Sequence, residues 1–254
     1  MNLFLSNLNV VVVGGTYGIG LAIAKGFLHE KAHVHVISRT GNEELNDEFS
    51  STYAASFFQY IADATDEKSL ALARTQILAN SRNKIDIVIS NVGCGKGTQM
   101  PVSDIADWGR SWDTNFNSAL NVSRVFTPEL LKTTGSLIFI SSIAGMEYIG
   151  APTDYSTAKA ALIAFSKSLS HRLAPNVRVN IVSPGNIMVK NGTWDIKLKD
   201  NPVKTSKMLN EKVPLKRFGL PEEVGDLVLF LSSPRAAFIT GGCFVIDGGQ
   251  TIGF

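Results

Sequence analysis

Seven short runs of apolar and β-branched residues recur along the chain: Asn9 to Val13, His33 to Ser38, Phe57 to Ile61, Ile85 to Ser90, Ser136 to Ile140, Arg178 to Val182 and Phe244 to Asp247. They are nearly continuous in hydrophobic character rather than alternating, which is the pattern of strands covered on both faces. Between them, Gly20 to Glu30, Asp66 to Asn80, Ile105 to Leu131 and Asp154 to Leu173 carry Leu, Ile, Ala and Phe at helical spacing. Pro221-Glu222-Glu223 opens one more helix, with proline in its first turn and acids at the positive end of the dipole. It runs to Leu231 before Ser233-Pro234 stops it. Strands alternating with helices predict an α/β protein in which seven parallel strands form a doubly wound sheet flanked by helices. No repeat, low-complexity stretch or Ser/Pro/Gly linker divides the chain, so residues 1–254 are expected to form a single domain.

Composition narrows the function classes. A formal charge of +2 and the lack of a basic stripe interleaved with aromatics argue against a nucleic-acid partner. Cys94 and Cys243 each stand beside glycine and give no disulfide framework, so both are read as free thiols in a reducing compartment. His29, His33, His35 and His171 have no ligand arrangement, and no metal site is expected. No run approaches the length of a membrane span, and Met1 to Asn9 lacks the signal-peptide pattern, so the protein is expected to be soluble and cytoplasmic, with no membrane partner. One segment breaks the pattern. Asn186 to Phe218 carries eight basic residues (Lys190, Lys197, Lys199, Lys204, Lys207, Lys212, Lys216, Arg217) against three acids (Asp195, Asp200, Glu211). It is either a solvated surface insertion or a basic lid over an anionic substrate.

Chemistry enters after the first strand, where Gly14-Gly15-Thr16-Tyr17-Gly18-Ile19-Gly20 leads straight into a helix. Glycines there let the backbone turn tightly and approach a pyrophosphate, which would sit on the N–H groups of the helix terminus. This Rossmann-like turn predicts a dinucleotide. The second strand ends in Ser38-Arg39-Thr40, with no acid before Glu43. A free ribose 2′-hydroxyl usually meets an acid at this place, whereas a 2′-phosphate wants a cation and a hydroxyl, so NADP(H) is expected over NAD(H). Asp63, after the third strand, is either the acceptor for the adenine amino group or a helix cap.

Tyr155 and Lys159 are four residues apart at the start of a helical run, and so lie on one face. A phenol ordinarily ionises near pH 10 and needs about 4 kcal/mol of help to be half ionised at neutral pH, which a nearby ammonium and a helix N-terminus can supply. The spacing is too common by chance to stand alone; it needs a cofactor site and a second donor.

With the glycine turn, Asn91-Val92-Gly93, Asn115, Ser142 and Tyr155 to Lys159 in order, the chain resembles the short-chain dehydrogenase/reductase family over essentially its whole length. The spacing of Gly14, Gly18 and Gly20 matches its compact members. Ser183-Pro184-Gly185 resembles the family's Pro-Gly turn, and the stretch from Arg217 to Val224, with Thr240 to Gly242 and Asp247 to Gly249, is similar to the ending of 3-oxoacyl-carrier-protein reductase-like members. The resemblance implies that Tyr155 is the general acid/base, that Lys159 holds the nicotinamide ribose and lowers the tyrosine pKa, that Ser142 rather than Ser141 bonds the substrate oxygen, and that Asn115 holds a water linking Lys159 to solvent. It further implies a cofactor shell of Gly14, Thr16, Tyr17, Gly18, Ile19, Gly20, Ser38, Arg39, Asp63, Ala64, Asn91, Val92, Gly93, Tyr155, Lys159, Pro184, Gly185 and Ile187. Val13, Ser90, Val92 and Val189 depart from the family pattern, removing side-chain hydrogen bonds expected around the cofactor.

The implied reaction is hydride transfer between nicotinamide and a ketone or secondary alcohol. The small-molecule substrate is expected to be carrier-linked, as for a 3-oxoacyl-acyl-carrier-protein reductase, or an anionic or nucleotide-linked sugar or polyol. A regulator that binds cofactor without catalysis is the reading from another class. Cys94, Gly95, Lys96, Met146, Tyr148, Asn186 and Trp194 are expected to line the pocket. Family members pair through the two long helices and again through the last helix and strand, implying a homodimer or homotetramer; Leu162, Phe165 and Leu169 suit either such an interface or packing on the sheet.

Overall fold

A computed structural model describes residues 1–42, 45, 49, 53, 56–97 and 100–253. In chain order it contains β1 (Asn9–Val13), α1 (Gly18–His29), β2 (His33–Ser38), β3 (Phe57–Ile61), α2 (Glu67–Asn80), β4 (Ile87–Ser90), α3 (Ile105–Trp112), α4 (Ser118–Thr133), β5 (Ser136–Ile140), α5 (Thr153–Leu173), β6 (Arg178–Pro184), α6 (Thr193–Asp200), α7 (Pro202–Lys212), α8 (Pro221–Ser232) and β7 (Cys243–Ile246). The strands form one sheet in the order β3-β2-β1-β4-β5-β6-β7, and every pairing is parallel.

The near-continuous apolar strands follow from this layering. Val10 and Val12 of β1 face a cluster with Ile23 and Phe27 of α1 and Val228 and Leu231 of α8. Val11 and Val13 face the opposite cluster, with Leu70 and Ile77 of α2, Phe126 and Leu130 of α4 and Leu162 of α5. Both faces of each central strand are dry, so neither face reads as polar. Leu162 is buried, and Phe165 and Leu169 pack beside it in the second cluster. All three take part in packing on the sheet, Phe165 and Leu169 while still partly exposed.

Two parts of the chain differ from the pattern-based expectation. The run from Ile105 to Leu131 is not one α-helix: a π turn over Asp113–Asn117 separates α3 from α4. The 186–218 segment holds two helices, α6 and α7, whose apolar faces are too weak to read from spacing; α6 buries no residue and α7 buries only Thr205. Strand ends shift by one or two residues, as for β4, which begins at Ile87 rather than Ile85. Among the described residues no helix is long and apolar enough to cross a membrane, and no cluster of His, Cys, Asp or Glu could hold a metal ion.

Candidate active site

The strand order reverses between β1 and β4, and the loops leaving the carboxyl ends of these strands open a crevice there. β1 runs into Gly14, whose φ of 81° is left-handed, and α1 begins at Gly18, with φ 55°. Gly20 permits the closest approach: a Cβ at that position would stand 1.9 Å from the Gly14 carbonyl oxygen. Tyr17 precedes α1 in extended conformation with no side-chain cap, and the first turn of α1 carries no acid. The leading N–H groups of α1 are therefore left for an anion, which fits the pyrophosphate of a dinucleotide. Asn91 ties the crevice together, donating from Nδ2 to the Gly14 carbonyl at 2.9 Å.

At the rim beyond β2, Arg39 is exposed, while the Ser38 hydroxyl donates to the Thr40 carbonyl at 2.7 Å. Asp63 is not a helix cap; Asp66 caps α2 instead. The Asp63 carboxylate accepts from the backbone N–H and the hydroxyl of Thr65, each at 2.8 Å. The backbone bond from Thr65 is the main cause holding its pKa below the ordinary carboxylate value, with the Thr65 hydroxyl and Arg39 acting in the same direction. Ala64 is buried, its carbonyl accepting from Asn121. Glu43 lies outside the described residues.

Ser142, Tyr155, Lys159 and Asn115 converge where β4 and β5 end. Ser142 follows β5 and caps a single 3-10 turn, its hydroxyl accepting from the Ala144 N–H at 3.1 Å. The neighbouring Ser141 hydroxyl instead donates to the Lys159 carbonyl at 3.1 Å, so the two serines are separated by where they point. The first turn of α5 carries Tyr155 and its second carries Lys159, which is 3% exposed and donates from Nζ to the Ile140 carbonyl at 3.1 Å. The Lys159 ammonium lies 5.9 Å from the centre of the Tyr155 ring.

That geometry alters the expected electrostatics. The spacing suggests that Lys159 pulls the phenol's pKa down. In the folded chain, burial dominates and pushes Tyr155 up; the Ser142 hydroxyl pulls it down and the Cys94 thiol pushes it up. Burial also lowers Lys159, to about 8. A dry site penalises both charges, and the ammonium bonds a backbone carbonyl rather than the phenol.

Asn115 is 1% exposed and sits in the π turn. Its Oδ1 accepts from the Cys94 N–H at 2.9 Å, and its Nδ2 donates to the carbonyls of Cys94 at 3.1 Å and Ser111 at 3.0 Å. The side chain thus fastens the loop after β4 to the break in the helix. Gly93 threads between these groups, since a Cβ there would lie 2.9 Å from Lys159 Nζ and 3.1 Å from Asn115 Oδ1. The carbonyl of Ile140 and the backbone of Cys94 escape any reading of side-chain identity; only the fold brings them here.

The departures from the family pattern become packing. Val13 is buried in the core, Val92 packs beside it, Val189 lies over the Gly18 turn, and the buried Ser90 hydroxyl has no partner among the described residues. Tyr17 reaches across the crevice to donate to the Lys190 carbonyl. Among the expected pocket residues, Cys94, Gly95, Lys96, Met146 and Tyr148 are exposed around the crevice. Asn186 and Trp194 are not: Asn186 is buried against Met208, and Trp194 packs on Phe218 with Lys197 over its ring. Pro184 ends β6, Gly185 follows it, and Ile187 is buried just beyond them.

Residues 14–251 match the family model described as enoyl-(acyl carrier protein) reductase. The 3-oxoacyl-[acyl-carrier-protein] reductase of Chlamydia muridarum is 33% identical over 98% of this chain and 100% of its own length. Isoepoxydon dehydrogenase of Penicillium expansum is likewise 33% identical, over 98% of this chain and 96% of its own. Among solved structures, L-sorbose reductase from Gluconobacter frateurii in complex with NADPH and L-sorbose superposes with a TM-score of 0.92 at 27% identity, covering 100% of both chains.

Proposed function

The chain belongs to the short-chain dehydrogenase/reductase family and is an oxidoreductase of that class, and from this premise we propose that it interconverts a ketone and a secondary alcohol with NADP(H), using Tyr155, Ser142, Lys159 and Asn115. The observation that carries this reading is the convergence of the Ser142 hydroxyl and the half-buried Tyr155 phenol, within hydrogen-bonding reach of each other beside the loop after β4. The dinucleotide would lie along Gly14 to Gly20, with Asp63 and Ala64 near adenine and with Asn91 to Gly93, Pro184, Gly185 and Ile187 around the nicotinamide end. When bound, it supplies the hydride for the carbonyl carbon. Charge then develops on the substrate oxygen, where two hydroxyl donors stabilise it. A phenol whose pKa is raised stays protonated at neutral pH and is a proton donor in the reductive direction. Lys159 would hold the cofactor ribose, and Asn115 keeps the Cys94 loop in place beside it.

Arg39 supports NADP(H) over NAD(H), because it is the exposed cation just past the end of β2 and the sequence offers no acid there before Glu43. Arg39→Ala should weaken NADPH binding about tenfold and leave NADH binding unchanged, the loss of one charge-assisted contact. Fluorescence titration with both nucleotides checks this; equal losses would overturn the preference.

Two substrate classes follow. A carrier-linked 3-oxoacyl group matches the reductase relative from Chlamydia muridarum. A sugar or polyol is favoured by the polar crevice rim and by the structural likeness to a sorbose reductase. NADPH oxidation with carrier-protein ketoesters and with sugar ketones separates them. Residues 186–218 would be the lid in either case. Lys199, Lys207 and Arg217 are paired with Asp195, Glu211 and Glu223, Lys197 lies over the Trp194 ring and Lys216 donates to the Asn210 carbonyl, which among the described residues leaves Lys190, Lys204 and Lys212 as the candidates for an anion. Replacing these three and Lys96 with glutamine should raise KM for an anionic substrate about tenfold; an unchanged KM would make the segment solvated surface. We further propose a cytoplasmic homodimer or homotetramer, in which Val245 and the fully exposed Phe238 are covered by a second copy.

A further inference from the structure

The segment after β7 touches three parts of the candidate site in succession. It leaves the sheet pressed on the Pro-Gly turn: Gly185 donates to the Ile246 carbonyl at 2.9 Å, and a Cβ on Gly185 would lie 2.6 Å from that of Asp247. Next it lies on the exit from the lid helices, where Leu215 N–H donates to the Gly248 carbonyl at 3.1 Å and Gly249 sits against Pro214. Asp247 folds it back, accepting from Gly249 N–H at 2.8 Å, Thr251 N–H at 2.7 Å and the Thr251 hydroxyl at 2.8 Å. Finally Glu147, on the loop between Ser142 and Tyr155, accepts from Ile252 N–H at 2.9 Å and from Gly253 N–H through the same oxygen, Oε1.

We propose that Asp247–Gly253 is a brace joining the lid exit to the loop 143–152, with Glu147 as the positioning residue that sets this wall of the substrate pocket. Met146 and Tyr148, which flank Glu147, are exposed; the Met146 and Glu147 N–H groups fold back on the Ile143 carbonyl, and the Glu147 carboxylate bonds tie this turn to the tail. Ser142 is anchored from the sheet side, where the Ser141 N–H donates to the Val182 carbonyl just after β5, and Tyr155 is held by α5. Loosening the brace should therefore change substrate capture more than the chemical step. In this respect the inference rests on the proposed reductase function.

Glu147→Ala, studied in the full chain with NADPH, should raise deuterium uptake in 143–152 and 248–253 together, by about tenfold in rate, with NADPH affinity unchanged within about twofold. With acetoacetyl-coenzyme A and L-sorbose as probes, KM should rise about tenfold on whichever is reduced, while kcat stays within about threefold. Glu147→Gln keeps a carbonyl oxygen facing the two N–H donors and should restore most of the protection. Gly253→Ala is a second lever, since its Cβ would fall 2.8 Å from Glu147 Oε1, and should give the same pattern in milder form. Unchanged uptake in 143–152 for both Glu147→Ala and Gly253→Ala overturns the brace, as does uptake rising only in 248–253. If neither probe is reduced, the proposed function is what fails, and the exchange comparison still decides the brace.

Discussion

Tyr155→Phe should lower kcat about a thousandfold, equivalent to about 4 kcal/mol of transition-state stabilisation, while NADPH affinity stays within about threefold of wild type. The ring volume is preserved, and Ser142 keeps its bond from the Ala144 N–H, so the pocket walls remain in place. What is lost is the only phenol among the convergent groups, and with it both a donor to the developing oxyanion and the proton that completes reduction. Because Tyr155 is pushed up by burial, wild-type reduction should not decline at neutral pH for want of a protonated phenol. Lys159 sets the alkaline edge: its pKa is lowered to about 8, so its positive charge is present below that pH and is lost above it. The kcat/KM for reduction should accordingly fall above about pH 8. Residual turnover above a tenth of wild type in Tyr155→Phe would sink the assignment.

The second large effect concerns stability. His35 is fully buried on β2, stacked on Phe58 with ring centres 4.9 Å apart. Its Nδ1 is 3.1 Å from the Tyr60 hydroxyl, and its Nε2 has no partner among the described residues. Burial, with a smaller contribution from His33, lowers its pKa from 6.5 to about 4. Above pH 6.5 the ring is neutral in both the folded and unfolded chain and makes no difference. Between about pH 6.5 and 4 the unfolded chain takes up a proton that the folded chain refuses, so stability falls as the pH falls. By pH 4.5 the cost is about 2.5 kcal/mol. Other acids contribute to the acid limb, so the clean measurement is a difference. His35→Phe, which leaves the Tyr60 hydroxyl bonded to Asn80, should lose about 2.5 kcal/mol less than wild type between pH 7 and 4.5 in urea unfolding. Parallel pH curves for the two proteins would refute the buried neutral histidine.

The same buried positions explain what the sequence could and could not reveal. β1 is legible because both its faces are covered, leaving four consecutive valines after Asn9. The glycine turn is legible because Gly20 answers to a contact no side chain allows. Ser142, Tyr155 and Lys159 are legible as a family pattern, yet their electrostatics are not: spacing cannot register that Lys159 bonds the Ile140 carbonyl or how dry the pocket is. The π turn is hidden for a related reason. Asn115 reads as one polar residue in a helical run until Cys94, 21 positions earlier, is found on its amide. Glu147 escapes notice altogether, because its partners are backbone N–H groups that carry no residue identity.

The order of the sheet also dictates a schedule. β1, β2 and β3 are contiguous both in sequence and in space, so the cradle for the dinucleotide can collapse while the rest of the chain is still being made. β1 meets its other neighbour only when β4 arrives, with Val13 beside Ser90, and such distant parallel pairings are slow to close. Ser142, Tyr155 and Lys159 come later still, and Asp247–Gly253 after them. A nascent chain would thus hold a half-built nucleotide shelf, with the apolar edge of β1 uncovered, well before any reactive group reaches it. That interval is when ligand or chaperone would matter most to the yield of folded enzyme.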